Sequence, residues 1–338
     1  MPTPSSITPV TELAPPKNLG PDFFPVQQNV VNHYRRRLPV LTIAGCFVTH
    51  SGIALKRLRL VSESVFHGLD PSIMRHFYGY ALYKYFTERR FRPTEPRLLL
   101  LHHHWGSGYH HWLTECLLKA QFVDASQYVV LLPEDYPRFA IESLAIFPFA
   151  GTLTLPRGKG LQTNTLTLIG NPNSGHFNPG HLRGLKNLVI DRFDGPAPEA
   201  ERLYITRRGE ALRRVENEDQ VIEALQGYDF KVVDPAAMSF PDQVRLFSRC
   251  RILVSVHGAG LTNCLFMREG GRVLELYRAL GSRQDGMNAC YWRLSTASKL
   301  DYYYQFCAHM ENRGEHVDRV DIRVDIEKLK TNVEAMLS

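Results

Sequence analysis

The sequence predicts an α/β protein made of two doubly wound domains. Short apolar runs alternate with helical patterns from about residue 97 onward, and the alternation occurs twice. A proline-rich stretch, "DGPAPEAE" (Asp194 to Glu201), separates the two series. Strands joined by helices over short connections give parallel sheets covered on both faces. Ligands of such sheets collect at the carboxyl ends of the strands.

Before the alternation begins, residues from about Val40 to Leu60 favour short β-strands. Asp70 to Arg90 favours a helix on which Tyr78, Leu82, Tyr85 and Phe86 share a face. In the first series the strand "RLLLLHHH" leads to a helix from about His110 to Val123, "QYVVLLP" leads to a helix near Pro137 to Phe147, and "GTLTLP" follows. The turn-rich "GNPNSGHFNP" then precedes a helix from His181 to Ile190.

In the second series "RLYIT" precedes a helix opening at Asn217, with Gln220 completing a capping box. "FKVV" precedes a helix capped by Ser239, with Pro241 in its first turn. "RILVSV" runs into a glycine loop, and "RVLELY" comes after it. Helical spacing returns at Ile326, Leu329, Val333 and Met336. The expected organisation is a first domain over 1–190, a second over 200–320, and a C-terminal helix in 321–338 packing back on the first domain.

Composition narrows the function classes. Of 338 residues 44% are hydrophobic and 22% charged, which suits a soluble globular protein. The net charge of +6 fits anionic small ligands or polyanions, but no basic tract is dense enough to indicate nucleic acid. The six cysteines form no C-x-x-C pair and several lie in apolar runs, so they read as buried thiols of a reducing compartment. "MPTPSSITPVTELAPPKNLGPDFFP" lacks the basic-then-apolar order of a signal peptide, and Leu38 to Leu55 is broken by Gly45, His50, Ser51 and Gly52. The expectation is a cytoplasmic protein, with peripheral contact at the inner face of the membrane left open.

Three segments carry candidate chemistry. In "SVHGAGLTNCLFM" (Ser255 to Met267) glycines end a buried strand. They let backbone amides approach a ligand at a helix N-terminus that favours negative charge. In "YITRRGEALRRVENE" (Tyr204 to Glu218) Arg207, Arg208 and Arg213 follow a strand of the same sheet, where guanidinium groups clamp a diphosphate. Glu275, near the end of "VLELY", stands where an acidic side chain accepts from ribose or sugar hydroxyls.

In "HHHWGSGYHHWLTECLLKA" His111 and Glu115 are four apart on a helix, so imidazole and carboxylate meet as a general-base pair. The same spacing also fits a simple surface pair. Five histidines in this window raise a metal site. H-E-x-x-H is missing, however, and adjacent strand histidines point to opposite faces, so no metal is expected.

Competing readings fail on their partner motifs. A lipase-type hydrolase needs G-x-S-x-G, a P-loop enzyme G-x-x-x-x-G-K-[ST], and a dinucleotide enzyme G-x-G-x-x-G; the sequence holds none of them, nor a D-x-D metal-nucleotide motif.

The three blocks "YHHWLTE", "YITRRGEALRRVENE" and "SFPDQVRLFSRCRILVSVHGAGLTNCLFMREGGRVLELY", in this order across residues 97–280, resemble glycosyltransferase family 61. The resemblance implies a GT-B fold of two facing Rossmann-like domains. It also implies inverting, metal-independent transfer from a nucleotide sugar, a UDP-sugar in the first instance, to a hydroxyl of a glycan or lipid-linked acceptor, with no cofactor. It nominates Glu115 as the acceptor-activating base, oriented by His111. The donor site would comprise Arg207, Arg213 and Asn217, with His257, Gly258, Ala259, Gly260 and Leu261, followed by Asn263. The alternative is a non-catalytic module that binds a nucleotide sugar or polyanion.

Overall fold

The structure is a computed structural model that describes residues 12–23, 30–66, 71–95, 97–196, 201–280, 287–309 and 319–338. The chain is α/β and divides into two compact units, one holding His33–Leu188 and the other Val10–Asn32 with Val189–Ser338. Each unit has its own sheet.

The first unit contains β1 (Val40–Val48), β2 (Ala54–Lys56), β3 (Arg59–Leu60), β4 (Arg89–Phe91), β5 (Leu98–Leu100), β6 (Val129–Pro133), β7 (Gly151–Leu155) and β8 (Lys159–Ile169). Their order is β3-β2-β1-β8-β5-β6-β7, with β4 pairing to β8. β5, β6 and β7 follow the parallel expectation, and β4, which takes Arg89 and Arg90 from the end of the expected helix, pairs parallel with β8. β1 meets both β8 and β2 antiparallel, so the sheet is mixed rather than wholly parallel. The β1–β2 and β2–β3 pairings are local hairpins, whereas β1–β8 joins strands more than a hundred residues apart. Arg57 and Leu58, both at positive φ (49° and 61°), make the two-residue turn between β2 and β3, and this turn type matches the twist of hairpin strands. Leu161, Leu166 and Leu168 of β8 bury against Leu98, Leu100 and Leu131.

The helix expected from His110 is not regular. Tyr109–His111 is α-helical, Trp112–Cys116 forms a π-helical turn, and Leu117–Phe122 tightens to 3-10 geometry. All five residues of the π turn are buried, and the Trp112 indole donates to Ser143 Oγ at 2.7 Å. On the helix Pro71–Thr87 only Leu82 and Tyr85 of the four expected face residues pack inward; Tyr78 and Phe86 are exposed.

The second unit contains β9 (Arg202–Ile205), β10 (Lys231–Val233), β11 (Ile252–Val256), β12 (Arg272–Arg278), β13 (Asp301–His309) and β14 (Ile322–Arg323). The order is β10-β9-β11-β12-β13-β14, with the first five parallel and β14 antiparallel on β13. Counted along the chain, the parallel strands run 2-1-3-4-5. The order therefore reverses between β9 and β11, and sheets of this kind open their ligand crevice at the carboxyl ends beside such a reversal. β9 leads into the arginine segment and β11 into the glycine loop.

The boundary between units falls at Leu188/Val189, inside the helix Pro179–Phe193 and two residues from the expected end of the first domain at 190; residues 197–200 of "DGPAPEAE" lie outside the described residues. Two placements differ from expectation. Residues near the amino end join the second unit: Phe23 is fully buried with its ring 4.3 Å from Tyr304, and the Lys17 amide donates to the Tyr302 carbonyl. Residues 1–11 of the expected first domain lie outside the described residues. The helix Ile326–Leu337 buries Leu329, Val333 and Met336 among Val221, Leu225, Val254 and Leu274, so its apolar face belongs to the second unit's core.

All six cysteines are buried and none is disulfide-bonded. Among the described residues no helix is long and apolar enough to cross a membrane.

Candidate active site

In the first unit the chain leaves β5 through His102, His103 and His104, then enters the helical stretch carrying His111 and Glu115. Glu115 is only 1% exposed, and its carboxylate is surrounded by donors. Oε2 lies 2.7 Å from His111 Nδ1 and 3.2 Å from His103 Nε2, while Oε1 accepts from Ser174 Oγ at 2.8 Å. Burial alone would raise the Glu115 pKa. Hydrogen bonding from His103 and His111 outweighs it and holds the carboxyl well below the usual range.

The two histidines differ. The His103 Nδ1 accepts from the Trp105 amide, which puts the ring proton on Nε2, facing Glu115. Burial lowers the His103 pKa to about 4, so this ring is neutral. His111 also directs Nδ1 at Glu115, but its side chain is 32% exposed, which leaves Nε2 as the accessible nitrogen. Lys119 is buried on one hydrogen bond to Asn171 Oδ1, and burial lowers its pKa to about 8. Ser174 and His103 had no sequence signal beyond a turn-rich loop and a histidine run.

In the second unit the arginine segment is anchored by Glu218. Its Oε1 accepts from Tyr204 Oη, Thr206 Oγ1 and the Arg207 amide, all within 2.9 Å. The Arg207 side chain is buried; its Nε and Nη2 donate to the carbonyls of Arg213 and Leu212. Burial lowers its pKa somewhat, countered by Glu210. Its Nη1 lies against the glycine loop, only 2.7 Å from where a Cβ on Gly258 would stand. Arg213, at φ 56°, donates from Nη1 to the His257 carbonyl at 3.0 Å. Its Nε is buried with no partner among the described residues.

β11 ends at Val256, and a 3-10 turn, Ala259–Phe266, begins after Gly258. The first amides of such a turn have no acceptor within it. The structure thus brings Arg207, Arg213, His257, Gly258, Ala259 and Gly260 together at one sheet edge. Other expected donor residues are placed differently. Arg208 is exposed and pairs with Asp219. Leu261 and Asn263 are fully buried, with Asn263 Nδ2 donating to Gln243 and the Gly260 carbonyl. Asn217 bonds its side chain to the Val324 backbone and to Gln220 and makes no cap on its own helix, so the capping box does not form.

Glu275 also differs from expectation. It is 0% exposed, one carboxylate oxygen pairs with His257 Nδ1, and the other accepts from Tyr302 Oη at 2.6 Å. A sealed carboxylate of this kind has no open edge for a ribose. It instead fixes the His257 ring, which Tyr277 and Tyr291 flank edge-on at 5.0 and 5.1 Å. Among the described residues no group of three or more His, Cys, Asp or Glu side chains is arranged to hold a metal ion.

Residues 109–274 match the family model Glycosyltransferase 61, which spans both the His111–Glu115 pair and the arginine and glycine segments. The chain is 30% identical over 189 residues to the EGF domain-specific O-linked N-acetylglucosamine transferase of Mus musculus, covering 52% of this chain and 34% of that protein. The protein of the same name from Drosophila melanogaster is 32% identical over 124 residues, 35% of this chain and 23% of its own length. The chain therefore spans about a third of the length of the first of these curated relatives. The matched region covers both clusters of candidate residues, and over it the chain is similar to glycosyltransferase family 61.

Proposed function

We propose that the chain is an inverting, metal-independent glycosyltransferase of GT-B architecture that moves a sugar from a nucleotide sugar, a UDP-sugar first among candidates, to a hydroxyl of a glycan or lipid-linked acceptor. The observation that carries this reading is the meeting of Arg207, Arg213 and the Gly258–Gly260 amides at the β9/β11 reversal. Guanidinium groups and backbone amides gathered at one sheet edge suit the charge that develops on a departing diphosphate.

The geometry of the first unit favours His111 over Glu115 as the proton acceptor. Glu115 is ionised, buried and held by hydrogen bonds from His111 and Ser174, whereas His111 donates Nδ1–H to it and keeps the Nε2 lone pair for an acceptor hydroxyl. In this scheme the hydroxyl proton passes to His111 Nε2 and the oxygen bonds to the anomeric carbon. The bond to the diphosphate oxygen breaks, and its electrons leave with the nucleotide. Attack from the face opposite the leaving group inverts the anomeric centre. This exchanges the roles that the sequence suggested for the two residues.

The test is incubation with a panel of nucleotide sugars and saccharide acceptors in the presence of chelator, following released nucleotide and glycosylated product. The reading predicts turnover that chelator leaves unchanged. Saturable nucleotide binding with no released nucleotide would favour the non-catalytic module instead.

A further inference from the structure

We infer that the hairpin β2–β3 and the helix Pro71–Thr87 form a surface that docks on an anionic lipid bilayer. Two independent properties coincide there. The first is charge. Between Lys56 and Arg92 the sequence has eight Lys or Arg and three Asp or Glu, a net of +5 within a chain whose total is +6. Almost the whole charge imbalance of the protein resides in this one segment.

The second property is exposed apolar area. Tyr83 and Phe86 are 64% and 73% exposed, the two largest values among the exposed large hydrophobics, and Leu58, Ile73 and Tyr78 of the same segment are also exposed. On a helix Arg75, Gly79, Tyr83 and Phe86 follow one another at spacings of four, four and three, so they lie along one face. That face is opposite Ala81, which is buried in the first unit's core.

The two elements are tied together. The Tyr78 hydroxyl donates to the Leu58 carbonyl at 2.9 Å, fixing the hairpin tip with its exposed Arg57 and Arg59 beside the helix. The acidic Glu88 does not offset the cations at the surface, because its side chain is 7% exposed and pairs with Lys84 at 3.1 Å. Arg90 turns inward over the rings of Phe47 and Tyr85, while Arg75, Arg89 and Arg92 stay exposed.

Exposed aromatics among arginines match the interfacial region of a bilayer. Amphipathic rings settle at the headgroup level there, and guanidinium groups reach lipid phosphates. An acidic protein would satisfy the cations but would not require Tyr83 and Phe86 to stand clear in water. The surface lies on the membrane rather than crossing it, and it would place the enzyme beside lipid-linked acceptors.

The experiment is co-sedimentation of the full chain with vesicles of phosphatidylcholine alone and of phosphatidylcholine mixed with phosphatidylglycerol. It reads binding without turnover, so it succeeds or fails independently of the transferase reading. The full chain is expected to sediment with the anionic vesicles, to prefer them over neutral ones, and to release as salt rises. Tyr83→Ser with Phe86→Ser should lower binding roughly tenfold. Arg75→Gln with Arg89→Gln should lower it roughly thirtyfold. All four side chains are exposed, and unchanged thermal unfolding would confirm the fold of each variant. Absence of binding to anionic vesicles, or undiminished binding by both variants, would overturn the inference. So would a concentration-dependent dimer that the Tyr83/Phe86 variant abolishes, because the face would then belong to a second copy of the chain.

Discussion

His111 Nδ1 lies 2.7 Å from Glu115 Oε2, and of the two residues only the histidine has substantial exposure. This asymmetry separates their roles. Replacing His111 with alanine removes the proton acceptor and should lower kcat by roughly 10²–10⁴-fold while leaving nucleotide affinity near wild type. Glu115→Gln keeps the shape but replaces the carboxylate that holds the His111 tautomer, and it should approach the same loss. Steady-state kinetics paired with nucleotide titration checks both. Full turnover in His111→Ala would return the base role to Glu115.

Gly258 makes a second test, because its φ of 172° is extended backbone open to any residue. Its requirement for glycine is therefore steric. A methyl group there would meet Arg207 Nη1 at 2.7 Å. Gly258→Ala should displace the guanidinium from the loop and weaken nucleoside diphosphate binding by about tenfold, with little change in thermal stability. Calorimetric titration measures the first effect and a melting curve the second.

The three arginines should separate cleanly. Arg213→Ala releases the His257 carbonyl and removes a donor whose Nε is buried without a partner among the described residues, so the loss should appear mainly in ligand binding with a small cost in stability. Arg207→Ala releases the carbonyls of Leu212 and Arg213 as well, and should lower both binding and stability. Arg208→Ala, at an exposed pair with Asp219, should change stability by less than about 1 kcal/mol and leave binding unaffected. Equal effects from all three would contradict the assigned geometry.

Glu275 and Tyr302 form a buried pair around His257, and their removal should register as stability. Glu275→Ala strips partners from both and should cost about 3–5 kcal/mol, in the range for breaking a buried charged network. Tyr302→Phe removes one hydrogen bond to the carboxylate and should cost about 1–3 kcal/mol. Urea denaturation monitored by circular dichroism gives both values.

Acid should destabilise the first unit. Burial lowers the pKa of His102 to about 3 and of His103 and His104 to about 4, against 6.5 for an unhindered histidine. Between those limits the unfolded chain binds more protons than the folded one, so stability falls as pH drops below about 6.5 and the effect levels off near 3 to 4. Glu115 acts in the same direction: its folded pKa is depressed, so its contribution is present above the ordinary carboxylate value and lost as pH falls. Melting temperatures between pH 7 and 4 should decline steadily, and His102→Asn should flatten the slope.

Much of the second unit was legible because its signals are local. "RILVSV" became β11, "RVLELY" lies within β12, and Ser239 caps its helix by accepting from the Asp242 amide. What the sequence concealed depends on distant partners. Asn217 reads as a capping box, yet its side chain bonds to Val324, more than a hundred residues away. Glu275 reads as a solvent-facing carboxylate until Tyr302, on a neighbouring strand, closes over it. The central strand β8 is hidden in the sequence because Gln162, Thr163, Asn164, Thr165 and Thr167 give it a polar composition between its buried leucines. Glu115 was found by its spacing to His111, but its enclosure by His103 and Ser174 required the fold.

In the proposed function the carboxyl edge beside β9 and β11 holds a donor diphosphate. The most direct test is calorimetric titration of UDP, with GDP, CMP and dTDP as comparators, into the wild-type chain and Arg213→Ala. Saturable binding of a nucleoside diphosphate to the wild type is expected, at least tenfold weaker in the variant. No nucleotide binding at all, or equal affinity in Arg213→Ala, would contradict it.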